Sequence, residues 1–172
     1  MILKSTLEEV AEAQKSNLLQ LDVGQKRQQL EHLPEVSSHA LIISGVRRCG
    51  KSTLLHQWLM LKHSDAFYLN FEDPRLFEMK LNDFTRLDQI IRDKACKTLF
   101  FDEIQVIDGW ERYVRQKLDE GLKVVVTGSS ASLLSRELGT KLTGKHITKE
   151  LFPFSYEEFC EFRSLERSEQ SL

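Results

Sequence analysis

The chain has 172 residues, 41% hydrophobic and 29% charged, with a formal net charge of −2. That length suits one domain with an ordinary core, and the balanced charge excludes a globally basic nucleic-acid binder while leaving a local basic patch open. Cys49, Cys96 and Cys160 fit neither a disulfide framework nor a zinc site and read as reduced thiols; with no apolar run near the roughly 20 residues that span a bilayer and no signal-peptide pattern, a cytoplasmic protein without membrane contact is expected.

Ser5-Thr6-Leu7-Glu8-Glu9 has the form of a capping box, and Leu7, Val10, Ala11, Leu18 and Leu21 recur at mostly helical spacing until Gly24. A second short helix is expected over Lys26 to Leu33, stopped by Pro34. Residues 1–36 therefore read as a helical extension, residues 37–163 as the main domain and 164–172 as a polar tail. From there strands and helices alternate: strand Leu41–Ser44, helix Lys51–Lys62, strand Ala66–Phe71, a helix marked by Phe84, Leu87, Ile90 and Ile91, and strand Thr98–Phe101. A helix with Trp110, Tyr113, Val114 and Leu118 inward follows, with Asp108 and Glu111 as a capping box and Gly121 as its stop. Strand Leu122–Val126 and a short helix around Ala131–Leu138 come next, then a loop from Gly139 to Gly144 and an edge strand Ile147–Leu151. Phe154-Ser155-Tyr156-Glu157-Glu158-Phe159 reads as a helix start in which Ser155 and Glu158 cap reciprocally. The alternation predicts an α/β fold, a three-layer sandwich around a parallel sheet.

Between the first strand and its helix lies Gly45-Val46-Arg47-Arg48-Cys49-Gly50-Lys51-Ser52-Thr53, which fits G-x-x-x-x-G-K-[ST] in the strand–loop–helix context that the motif requires. The two glycines let successive N–H groups point inward, and the helix adds the positive end of its dipole, so an anion is the expected guest. Lys51 would reach the β- and γ-phosphates of a nucleotide, and the Ser52 hydroxyl would take one position on Mg²⁺. Thr98-Leu99-Phe100-Phe101-Asp102-Glu103 ends a buried strand in two carboxylates at the sheet edge where ligands of open α/β sheets bind. Asp102 is the expected Mg²⁺ partner, mostly through water, and Glu103 the group that orients or deprotonates the attacking water. Val124 to Ser130 ends a third strand in small hydroxyls. Ser129 first, and Thr127 second, could bond the γ-phosphate; alternatively Thr127, Ser129 and Ser130 turn the chain and cap the next helix.

These segments, together with Tyr68-Leu69-Asn70-Phe71-Glu72-Asp73-Pro74-Arg75-Leu76, Phe101-Asp102-Glu103-Ile104-Gln105 with Gly109-Trp110-Glu111, Thr127-Gly128-Ser129-Ser130 and Pro153-Phe154-Ser155-Tyr156-Glu157-Glu158-Phe159, resemble the prokaryotic AAA-superfamily P-loop ATPases of the AAA_14 type. The resemblance runs from about Leu41 to Phe162. It implies a five-stranded sheet of order 5-1-4-3-2 and Mg²⁺-dependent ATP hydrolysis carried by Lys51, Ser52, Asp102, Glu103 and Ser129. Two departures stand out. Family members usually carry a longer C-terminal half of unknown function that this sequence does not include, and Gly144-Lys145 stands where the family commonly has Gly-Arg. Lys cannot reproduce the bidentate geometry of an arginine finger, so Lys145 and Arg136 read as surface cations.

Other residues carry weaker signals. Arg47 and Arg48 face either phosphate or solvent; Cys49 is either a reactive thiol or a small loop residue; Trp58 and Trp110 sit on apolar helical stripes as core. Glu72-Asp73-Pro74 ends the second strand as a turn or as part of the water network. Arg136, Lys141, Lys145, His146 and Lys149 form the one local basic patch, interrupted by Glu137 and Glu150, which supports nucleic-acid binding only weakly. The expected ligands are ATP and Mg²⁺, with a homo-oligomer or a protein as partner. The competing readings are a non-catalytic ATP-binding interaction module and a P-loop kinase; the Asp102-Glu103 pair favours water as acceptor, and no Arg-rich lid supports the kinase.

Overall fold

The computed structural model describes residues 1–35, 37–63, 65–129, 142 and 144–163. Five strands, β1 (Ala40–Gly45), β2 (Phe67–Asn70), β3 (Thr98–Asp102), β4 (Lys123–Ser129) and β5 (His146–Leu151), pair in parallel in the order β2-β3-β4-β1-β5. This is the expected order, read from the opposite edge. Strands at the centre of a sheet covered on both faces must be apolar on both, and Leu41 to Ile43, Leu99 to Phe101 and Val124 to Val126 are all buried.

The helices α1 (Lys4–Gln20), α2 (Lys51–Lys62), α3 (Phe84–Asp93), α4 (Trp110–Asp119) and α5 (Tyr156–Arg163) complete the described fold. On one face α1, α3 and α4 bring Leu7, Val10, Leu87 and Val114 against Ile42, Leu99, Phe101 and Val126. On the other, α2 and the 3-10 turn Gln28–His32 bring Leu54, Leu55, Trp58 and Leu30 against Leu41, Ile43, Phe100 and Val125. Trp58 meets Phe100 edge-on at 5.6 Å, and both tryptophans are buried, as their stripes predict. Among the described residues no helix is long and apolar enough to cross a membrane.

Several local expectations change. α1 starts at Lys4 with Leu3 as its N-cap and no side-chain cap, so the Ser5 capping box does not form. Tertiary anchoring replaces it: Ile2 is buried, and its N–H donates to Asp83 Oδ1 at 3.2 Å. The expected second helix is a single 3-10 stretch. At α4 the N-cap is Gly109, with φ of +79° and no side-chain cap, rather than Asp108. Its C-terminus follows expectation: Gly121 N–H reaches Leu118 O and Leu122 N–H reaches Lys117 O, the two bonds of a Schellman motif. β4 continues to Ser129, so Thr127 and Ser129 extend the sheet instead of turning the chain. Ser130, Arg136, Lys141, the expected helix around Ala131–Leu138 and the tail 164–172 lie outside the described residues.

At the β2 edge, Gln14 of α1 accepts from Asn70 N–H at 2.8 Å and donates to Asn70 O at 3.1 Å. A side-chain amide thus meets both exposed backbone groups of that residue, as a neighbouring strand would.

Candidate active site

The loop from Gly45 to Thr53 leaves the C-terminal end of β1 and enters α2. Arg48 and Gly50 hold φ of +65° and +95°, left-handed conformations of the kind from which anion-binding nests are built, and between them Cys49 N–H donates to Val46 O at 3.3 Å. Gly50 opens α2 without a side-chain cap, which leaves the first N–H groups of the helix available to an anion. Lys51 is buried, and its Nζ donates to Gly45 O at 3.3 Å and Val46 O at 3.2 Å. It also lies 3.8 Å from Glu103 Oε1. Ser52 and Thr53 are half-buried in the first turn of α2, Val46, Arg47 and Arg48 are exposed, and Cys49 is buried.

Asp102 ends β3 with no exposed surface. Its Oδ2 accepts from the Tyr68 hydroxyl of β2 at 3.0 Å, and its Oδ1 accepts from the Thr127 hydroxyl of β4. Thr127 Oγ1 in turn accepts the Glu103 N–H at 3.1 Å. Each carboxylate oxygen keeps a further lone pair, which suits an oxygen-seeking cation held through water. Behind them His56 Nε2 lies 3.1 Å from the Tyr68 oxygen. Because Tyr68 gives its proton to Asp102, that nitrogen carries the hydrogen. Burial, with the Asp102 charge adding to it, pushes the Tyr68 hydroxyl far above its usual range, and burial pushes His56 below its own. The tyrosine therefore remains a donor.

Glu103 sits at φ of +53° and ψ of +38°. A left-handed glutamate is uncommon and costs on the order of 1 kcal/mol or more unless its surroundings enforce it. Here Thr127 holds its N–H, while Gln105 donates to Oε2. The twist turns Glu103 away from the strand direction and toward Lys51. Replacing Thr127 by Val keeps the shape but strands one oxygen of Asp102 and the Glu103 N–H. We expect about 2 kcal/mol of lost stability, read by urea unfolding; a change below about 0.5 kcal/mol would show that the network contributes little.

Ser129, half-buried, pairs in register with Gly45 at the base of the loop. The Thr127 hydroxyl is already committed to Asp102 and Glu103, which removes it as a phosphate donor. Asp73 caps the turn Pro74–Leu76 and binds Arg75, so that segment is a turn. Lys145 bonds Asp119 at 2.6 Å and precedes β5, at the end of the sheet opposite the loop.

The family model for AAA_14, an AAA domain, matches residues 37–160. The chain belongs to this family. The chain is similar to an uncharacterised protein of Methanocaldococcus jannaschii, 42% identical over 126 residues, which cover 72% of this chain and 28% of that protein. A second, from Haemophilus influenzae, is 35% identical over 135 residues, covering 73% and 34%. The chain thus spans about a third of the length of these curated relatives. Among solved structures, AMPPCP-bound DnaA from Aquifex aeolicus matches with a TM-score of 0.52 at 15% identity, over 83% of this chain and 51% of that one. Hsp104 with ATPγS and casein matches at 0.66 and 15%, over 92% and 32%. These likenesses are of fold alone; the AAA-type domain rests on the family model.

Sequence reading gave no role to Arg27, Gln57 or Tyr68, although Tyr68 opens one of the segments that carry the family resemblance. Tyr68 could have been noticed two residues before the end of a strand beside Asp102. Arg27 and Gln57 had no local signal, because their partners are distant in the chain.

Proposed function

We propose that this AAA_14 domain binds MgATP across the Gly45–Thr53 loop and hydrolyses it to ADP and phosphate. The observation that carries the reading is the 3.8 Å approach of Lys51 to Glu103 beside the buried Asp102: a phosphate-binding cation and a candidate base share one end of the sheet. Lys51 would leave the loop carbonyls for the β- and γ-phosphates. Ser52 and Asp102 would hold Mg²⁺, which neutralises phosphate charge when bound. Glu103 would accept a proton from the water whose oxygen bonds the γ-phosphorus as the bond to the β-phosphate oxygen breaks. Ser129 is the proposed donor to the γ-phosphate. A cavity of about 630 Å³ beside Gly50, lined by Gly24, Gln25, Arg48, Thr53, Phe154 and Phe159, has the size and apolar walls that suit a nucleobase.

Coupling to a protein partner, to further copies of the chain or to the remainder of a longer chain is part of the same proposal. Exchange of Glu103 for Gln tests the chemistry. MgATP affinity should stay within about threefold, while phosphate release falls by about 100-fold or more, within the range of general-base effects. Turnover at the wild-type rate would remove Glu103 as base. Absence of MgATP binding by the wild type at millimolar concentration would overturn the whole reading.

A further inference from the structure

The segment before the 3-10 turn is held against the phosphate loop by buried polar groups that the hydrolysis reading does not use. Gln57 of α2 accepts from Arg27 N–H at 3.0 Å and donates to Val23 O at 2.9 Å and Gln25 O at 2.7 Å. The Arg27 side chain is 2% exposed and spends its fork in three directions. Nε donates to Glu158 Oε1 at 2.9 Å, Nη2 to Phe152 O at 2.8 Å, and Nη1 to Cys49 O at 2.7 Å. Its guanidinium also lies 5.0 Å from the centre of the Phe154 ring. Glu158 Oε1 additionally accepts the Gln28 N–H, and Oε2 the Ser155 N–H, each at 2.9 Å. Burial pushes the Glu158 carboxyl up, but Arg27 and the two N–H groups outweigh it and hold it below its usual range.

The bond to Cys49 matters because of where that carbonyl sits. No peptide in the described chain is cis, and in a trans peptide C=O and N–H point in opposite directions. A carbonyl drawn to Arg27 therefore turns the Gly50 N–H to the opposite side of the Cys49–Gly50 bond, away from the guanidinium. The lack of a side chain at Gly50 makes room for the arrangement: a Cβ there would stand 2.7 Å from Nη1. Arg27 lies 22 residues before Cys49 and 131 before Glu158, so one guanidinium joins the N-terminal segment, the loop and the start of α5.

We infer that Arg27 is a positioning residue for phosphate binding: with Glu158 it locks the Cys49–Gly50 peptide so that the Gly50 N–H faces the bound phosphate. This rests on the proposed nucleotide site. Lys would keep the charge opposite Glu158, but its single ammonium cannot serve Cys49, Phe152 and Glu158 together in the planar fork geometry.

The test compares wild type, R27K and R27Q in the full chain, below the melting temperature of each. Calorimetry measures affinity for MgADP and for inorganic tripolyphosphate, and ¹⁵N–¹H spectra follow the Gly50 amide. Both variants should bind both ligands at least fivefold more weakly, and tripolyphosphate should shift the Gly50 amide in wild type far more than in the variants. Should either single variant fail to fold, the paired R27Q/E158Q exchange removes both buried charges together and takes its place. Affinity within fivefold of wild type in folded variants, or a Gly50 response equal to that of wild type, overturns the role of Arg27. Wild type that binds neither ligand overturns the nucleotide site itself, a result separable from the first.

Discussion

Exchange of Lys51 for Ala is expected to lower ATP turnover by about 10²–10³-fold, the range seen when one preorganised donor is removed from a developing negative charge. The side chain is enclosed, with its ammonium between two loop carbonyls and Glu103. It therefore acts in surroundings where water competes poorly for a phosphate. The folded state should hardly notice the loss. Gly45 O and Val46 O would be freed for water, Glu103 keeps Gln105 as a donor, and a buried ammonium no longer needs to be desolvated; unfolding should change by no more than about 1 kcal/mol. Phosphate release and urea unfolding on the same preparations separate the two effects. Turnover above one-tenth of wild type would mean that the backbone cradle alone carries the phosphate.

Gly45 should be highly sensitive to any added side chain. A Cβ there would stand 2.4 Å from Leu151 O and 2.7 Å from Cys49 Sγ. The thiol can rotate, but the carbonyl cannot retreat, because β5 is paired with β1 in register from Ala40–His146 to Gly45–Leu151. Gly45→Ala is expected to cost about 3 kcal/mol, at the upper end for overpacking in a fixed frame, and to weaken tripolyphosphate binding because the loop starts at the displaced residue. Urea midpoints with unchanged slope would register the first effect, and calorimetry the second. A variant as stable as wild type would show that β5 yields.

The contrast between these positions and Arg27 explains which features could be read from residues alone. The loop and β3 announce themselves because their chemistry is local: glycines, lysine and hydroxyl within nine positions, and carboxylates at the end of an apolar run. The sheet order followed from the family resemblance, while the elements themselves followed from apolar periodicity. Helix starts fared unevenly. Ser155 and Glu158 do cap reciprocally, with Ser155 Oγ accepting the Glu158 N–H at 3.2 Å. At α1 and α4 the same local pattern yields to tertiary anchoring of Ile2 and to a left-handed Gly109. Tyr68, Gln57 and Arg27 take their roles from neighbours brought in by folding, and no pattern within a short window encodes that. Glu158 belongs to both classes, as a cap legible in sequence and an ion-pair partner that is not.

The amide of Gln14 bears on how the sheet meets other molecules. By occupying both backbone groups of Asn70 it makes α1 a stopper at the β2 margin, and the helix also buries Leu7 and Val10 in the shared core. At the other margin β5 carries no further strand among the described residues. There the carbonyl of Leu151 lies against Gly45, so the outermost described strand and the first residue of the phosphate loop share one contact.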